Sequence, residues 1–312
     1  MAHSHTMPQL GHDLYLSYMG AETDLKFNHG VDLPGFASYP LLESENGRDM
    51  LRGYYSSLIE LAQQFKVGVI IDSATWVANR DRGAQIGQSR QSLERLNLDA
   101  IELIVQIREQ HDDVPIVLCG QVGPRGDGYA PEELMTADEA ENYHDEQIET
   151  LSRTDADFIC ATTLCYPEEA IGIVRSGKTF GKPVAISFTV EKNGCLPTGI
   201  SLKNAIIAVD EATDTDAIYF MVNCAHPDHF THVLADEPWF HRVKGLVVNA
   251  SRCSHAELDE AVSLDHGDPV ELGAQLADLR RMFPHLSILG GCCGTDMRHM
   301  KCIAEQAKAV IP

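Results

Sequence analysis

Nine cysteines occur in 312 residues, and three of them stand where they could do chemistry together. Cys224 follows the apolar run 217–222, in NCAHP, and Cys292 and Cys293 follow the run 286–289, in GGCCGT. Adjacent cysteines rarely bridge each other, because that ring strains the planar peptide between them. Gly290, Gly291 and Gly294 give the backbone freedom to turn both thiols toward one centre. Three thiolates are soft donors that suit Zn²⁺ in a tetrahedral site, and three protein ligands leave the fourth position open, as in catalytic zinc. Taken singly, the same residues also read as small buried apolar side chains. That second reading applies as well to Cys119, Cys160, Cys165, Cys195, Cys253 and Cys302. An odd number of cysteines in a chain this long, without a secretion signal, disfavours a disulfide framework.

The elements that would position these thiols repeat along the chain. Eight short, nearly all-apolar runs cover 14–19, 67–72, 115–119, 157–161, 183–188, 217–222, 245–248 and 286–289. Such runs predict parallel strands covered on both faces. Helical periodicity fills 52–65, 93–110, 137–151, 201–209, 272–282 and 299–310. Strands alternating with helices imply a parallel sheet, and eight such units predict a (β/α)₈ TIM barrel. A doubly wound open sheet is the alternative. It would show a Gly-rich turn after its first strand, where this chain has Gly20-Ala21-Glu22-Thr23.

A barrel places functional residues just after its strands. There the chain reads DSATW (72–76), CGQVGPRGDGY (119–129), SFTVEKNG (187–194), VNCAHPDHF (222–230), NASRCSHAELD (249–259) and GGCCGTD (290–296). All three cysteines of interest then share one rim. A single domain over 1–312 is expected, with 1–12 as a flexible tail. The formal net charge of −22 repels phosphate backbones and anionic lipid, which excludes nucleic-acid and membrane partners. No run reaches the ~20 residues of a membrane span, and the first residues carry no secretion signal, so a cytoplasmic setting is expected.

NCAHP followed by GGCCGT resembles the zinc-dependent homocysteine S-methyltransferase family. GAETDL near the start, IDSATW and FTVEKNGCLPTG extend the resemblance along nearly the whole chain. It implies a (β/α)₈ barrel with zinc on Cys224, Cys292 and Cys293. It also implies methyl transfer from a sulfonium, betaine-type or methylfolate donor to homocysteine or a related thiol. A bound metal would deprotonate that thiol, so no general base is required. The expected partners are the small-molecule thiol, the methyl donor and, since related enzymes are often oligomers, further copies of the chain. The alternative function is a barrel that binds zinc and a thiol without turnover.

Two positions depart from the family. Tyr18 stands where an Asp usually helps hold the homocysteine amine, and Thr162 stands where a second acid occurs. Glu22 and Glu191 are the acids left near the rim, and a thiol without an α-amino group becomes a candidate acceptor. Tyr18, Glu22, Thr75, Thr162 and Asn223 are the candidate substrate contacts. His226 is expected to start a helix or support a ligand rather than bind metal. Tyr143, His144 and Gln147 are expected to pack a helix, and His255 to lie on a lid or surface segment.

Overall fold

The computed structural model describes residues 7–261 and 263–310. Each of the eight apolar runs forms a strand. The strands pair in parallel in sequence order, and the eighth closes onto the first. The first half contains β1 (Tyr15–Tyr18), α1 (Ala21–Phe27), α2 (Glu45–Phe65), β2 (Gly68–Asp72), α3 (Arg80–Gln85) and α4 (Arg90–Arg108). It continues with β3 (Ile116–Val122), α5 (Ala137–Ser152), β4 (Phe158–Leu164) and α6 (Pro167–Thr179). The second half contains β5 (Val184–Phe188), α7 (Leu202–Ala212), β6 (Phe220–Asn223), α8 (Pro227–Phe230) and β7 (Val243–Val248). It ends with α9 (His255–Asp259), α10 (Pro269–Met282), β8 (Ile288–Gly291) and α11 (Met297–Lys308). The (β/α)₈ barrel is therefore the fold.

The two-residue period of each strand divides the core. Tyr15, Ile70, Val117, Phe158, Ala185, Met221, Val247 and Ile288 pack inward as one cluster. Their neighbours Leu16, Val69, Leu118, Ile159, Ile186, Val222, Leu246 and Leu289 belong to the larger core that includes the helices. Continuing the inward register upward reaches Met19, Gln121, Thr162, Asn223, Asn249 and Cys292. This layer becomes the floor of the site.

Element ends differ from the sequence expectations for local reasons. The helix expected from 52 begins at Glu45, where the Ser44 hydroxyl accepts a hydrogen bond from Gly47 N at 3.1 Å. Its first turns are polar, so they carry no periodic signal. Helix α6 escaped the periodic reading because it is buried on nearly every side, through Ala170, Ile171, Ile173 and Val174. Gly172 and Gly177 let it approach α5 and β5, and a Cβ on Gly172 would sit 2.5 Å from Glu141 N.

Of the expected tail, residues 1–6, with the His3/His5 pair, lie outside the described residues, and within 7–12 Gln9 is buried while Pro8, Leu10, Gly11 and His12 are exposed. The Gln9 carbonyl accepts from Ser287 Oγ at 2.5 Å, while Arg280 Nη2 donates to His12 O at 2.8 Å. Among the described residues, no helix is long and apolar enough to cross a membrane.

Candidate metal centre and cavity

The rim brings the three expected thiols together. The Sγ atoms of Cys224, Cys292 and Cys293 all lie within 4.8 Å of one another. Cys224 Sγ is 3.7 Å from Cys293 Sγ. The Cys224 and Cys292 sulfurs touch, with their Cα atoms 5.5 Å apart. That spacing lies within disulfide reach, so this pair can serve either an S–S bond or a shared metal. Backbone bonds weave the rim: Cys224 N donates to Val247 O at 3.1 Å and Cys292 N to Val248 O at 2.7 Å. Ala250 N donates to Cys293 O at 3.1 Å. Gly20 is required beneath, because a Cβ there would lie 2.5 Å from Cys292 O.

Two residues beside the thiols adopt left-handed backbone that favours glycine: Cys224 at φ 52° and Thr163 at φ 64°. Such conformations persist only where surroundings hold them, and they concentrate at functional sites. Asn223 holds the second. Its Oδ1 accepts from Thr163 N at 2.9 Å and Ser187 Oγ at 2.6 Å, and its Nδ2 donates to Thr163 Oγ1 at 2.8 Å.

The donor set fits a soft cation. Burial, and then the nearby Glu22 charge, push the Cys293 thiol up to about 12, so losing its proton needs a compensating positive charge. The cluster is all sulfur, with no carboxylate or imidazole in it. Borderline-soft Zn²⁺ suits that set, whereas hard oxygen-seeking cations do not. The nearby histidines have other partners. His226 Nδ1 accepts from Asp228 N at 3.1 Å, starting α8 as expected, and His229 Nε2 lies 2.9 Å from Arg252 O.

Above the sulfurs opens a cavity of about 440 Å³. Its floor is the inward layer: Met19, Gln121, Thr162, Asn223 and Asn249. Trp76, Tyr129, Phe36, Leu258 and Leu264 supply apolar wall, and Glu22, Asp127 and Asp265 supply acid. Asn249 is buried and its Oδ1 has no hydrogen-bond partner. Glu22 Oε1 accepts from Ser38 Oγ at 2.6 Å, and burial raises its pKa above the usual carboxylate value.

Of the expected substrate contacts, Glu22, Thr162 and Asn223 line this cavity, whereas Tyr18 and Thr75 do not. Tyr18 faces outward on β1, between the inward residues Ser17 and Met19. Its hydroxyl donates to Thr295 O at 3.0 Å and its ring stacks on Tyr54 at 6.3 Å. Thr75 Oγ1 donates to Gln121 O at 2.6 Å and ties the loop after β2 to β3. The next residue, Trp76, reaches the cavity instead. Tyr143, His144 and Gln147 are buried in packing, with His144 Nε2 3.0 Å from Glu169 Oε1. His255 differs from expectation: it is buried and lines the cavity. Gln121 and Trp76 were not singled out from sequence. The signal for Gln121 was present, since it continues the inward alternation of Val117 and Cys119.

Asp72, at the end of β2, accepts from Ser17 Oγ at 2.9 Å, and its other oxygen is buried without a partner. Burial raises its pKa from 3.8 to about 6. The unfolded chain ionises it near its ordinary value and the fold near 6, so stability falls as pH rises across that window. At ~1.36 kcal/mol per unit the loss is about 3 kcal/mol, complete above pH 6. Asp72→Asn should remove this dependence. In urea unfolding at pH 4 and 7.5, the parent should lose about 2.4 kcal/mol relative to the variant, because the unfolded chain is already more than half ionised at pH 4. Parallel curves for the two proteins would contradict it.

A family model described as homocysteine S-methyltransferase matches residues 22–307. No curated protein sequence matches. The fold is similar to the oxidized form of the homocysteine methyltransferase MmuM from Escherichia coli. The TM-score is 0.72 at 18% identity, covering 97% of this chain and 98% of that one. The metallated form of MmuM gives a TM-score of 0.70 at 18% identity, covering 95% and 96%. The apo form gives 0.65 at 16% identity, covering 96% and 98%.

Proposed function

Because the chain belongs to the homocysteine S-methyltransferase family and is a methyltransferase, we propose that it methylates an acceptor thiol held at zinc on Cys224, Cys292 and Cys293. The observation that carries this reading is the convergence of three sulfurs at the floor of the 440 Å³ cavity. Zinc, when bound there, supplies the Lewis acidity that lets the acceptor thiol give up its proton near neutral pH. The protein's own groups then bind and orient. Met19, Trp76 and Tyr129 present apolar surface beside the sulfurs and keep water from the reacting atoms. Thr162, Gln121 and Asn249 offer neutral polar groups for the acceptor's backbone. The acceptor sulfur attacks the donor methyl in line. A new S–C bond forms, the donor's bond to that carbon breaks, and its electron pair leaves with the donor.

The lining supports a cationic donor. Aromatic faces attract sulfonium and quaternary ammonium groups, and Glu22, Asp127 and Asp265 add negative potential. A polyanionic methylfolate meets the same acids, and a net charge of −22, as repulsion. Homocysteine is the acceptor the family supports, although Tyr18 and Thr162 stand where the usual acids would be and leave Glu22, Asp127 and Asp265 as the cavity's acids. The test is a matrix of thiols against sulfonium, betaine-type and methylfolate donors, with zinc measured on the same sample. Methylation of homocysteine by a cationic donor, at one zinc per chain, is expected. Absence of transfer from every donor by zinc-loaded protein overturns the reading.

The unpartnered Asn249 Oδ1 is read as an acceptor for the substrate amine. Asn249→Ala should therefore raise KM for the thiol roughly tenfold, the effect of one hydrogen bond of ~1.4 kcal/mol, with kcat nearly unchanged. Steady-state kinetics check this, and an unchanged KM would exclude the contact.

A further inference from the structure

We propose that Glu191 and His255 act as a clasp that sets the backbone of Cys224 and thereby the affinity of the metal centre. The inference rests on the zinc reading above. Neither residue belongs to the sulfur cluster. Both act on the Cys224 carbonyl: His255 Nε2 lies 2.7 Å from that oxygen, and His255 Nδ1 lies 3.1 Å from Glu191 Oε1. Thr189 Oγ1 donates to the same carbonyl at 3.3 Å.

Cys224 needs such help. At φ 52° its backbone is in the left-handed region, which costs a non-glycine residue about 1 kcal/mol or more. The unconstrained chain would relax away, and the thiol would turn off the shared centre. The two loops also meet at the surface, where Lys192 Nζ reaches Glu257 Oε2 at 2.5 Å in an exposed ion pair of the kind that contributes little. Ser254 and Glu257 cap α9 reciprocally, which fixes the first turn that carries His255. Tyr129, from the loop after β3, packs its ring 4.0 Å from the His255 ring. The loops after β3, β5 and β7 thus converge on the residue that follows β6. His255 is 6% exposed and Glu191 33%, so the inner member is locked while the outer one can be altered with little risk to folding.

Glu191 and His255 are positioning residues, and metal affinity separates that role from bulk stability. Zinc affinity is measured on the reduced protein by competition with a chromogenic chelator. Thermal unfolding and the absorption bands of the cobalt-substituted protein are recorded alongside. His255→Leu and Glu191→Ala should each weaken zinc ~10–100-fold, the range for groups that orient a ligand, and should shift the cobalt bands. His255→Gln keeps a donor to the carbonyl and should bind zinc much as the parent does. Lys192→Ala breaks the neighbouring loop contact without touching the clasp and should leave affinity and bands unchanged. Unchanged affinity in His255→Leu and Glu191→Ala overturns the clasp, as does equal weakening in Lys192→Ala. If His255→Leu fails to fold, Glu191→Ala alone decides. A parent that holds no zinc overturns the zinc reading itself, an outcome distinct from a zinc-binding parent with indifferent variants.

Discussion

Cys292→Ser is expected to empty the metal centre and stop methyl transfer while leaving the barrel folded. The side chain sits beyond β8, so no strand pairing depends on it. Its sulfur is one of three in the cluster, and an alcohol at that position is a harder and less acidic donor than a thiol. Residues that only support a ligand cost 10–100-fold when removed. Loss of a ligand itself should therefore exceed ~100-fold in zinc affinity, with kcat/KM falling at least as far. Metal analysis, circular dichroism and turnover on one preparation check all three parts. A variant that retains full zinc and full activity would remove Cys292 from the centre. Cys224→Ser and Cys293→Ser should behave alike, because the three thiols form one unit and their effects do not add.

Gly290→Ala should have the largest effect on stability. Gly290 pairs with Ser17 where β8 closes the barrel onto β1, and a Cβ there would overlap the Ser17 carbonyl. The obstacle is backbone within a ladder, not the end of a flexible side chain, so relief requires the closing strands to part. A cost of about 3 kcal/mol, at the top of the usual range for overpacking, is expected. For a chain of 312 residues that corresponds to a fall in Tm of roughly 5 °C. The strain also displaces Cys292, two residues along, so zinc affinity should fall in parallel. Differential scanning calorimetry reads the first effect and chelator competition the second. A parent-like Tm would mean that the strands tolerate the extra carbon.

The barrel and the convergence of its three sulfurs were legible in the sequence for one physical reason. Strands covered on both faces must be apolar throughout, so all eight stood out, and polar or thiol residues directly after them had to fall on one rim. Cys224, Cys292 and Cys293 therefore came together as expected. What the linear pattern obscured was facing. Tyr18 is one residue from the inward Ser17 and turns outward, so it packs on Tyr54 and leaves the cavity to Met19. Thr75 and Trp76 exchange roles in the same way. Gln121 could have been found by counting in twos from Val117, as the strand-end positions of Asn223 and Asn249 were. His255 could not: it lies on a short helix in a loop, where no period governs direction, and only tertiary contact carries it onto the Cys224 carbonyl. The contacts of the Gln9 and His12 carbonyls with Ser287 and Arg280 carry no sequence signal, because a short segment has no period.

The central claim is that three sulfurs hold zinc and leave one position for the acceptor's sulfur. X-ray absorption at the zinc edge, on reduced zinc-loaded protein, tests it most directly. The account predicts a shell of three sulfurs and one lighter atom without substrate, rising to four sulfurs when the acceptor thiol is added. A shell dominated by nitrogen and oxygen, or one whose sulfur count does not change with a thiol that the enzyme methylates, would contradict it.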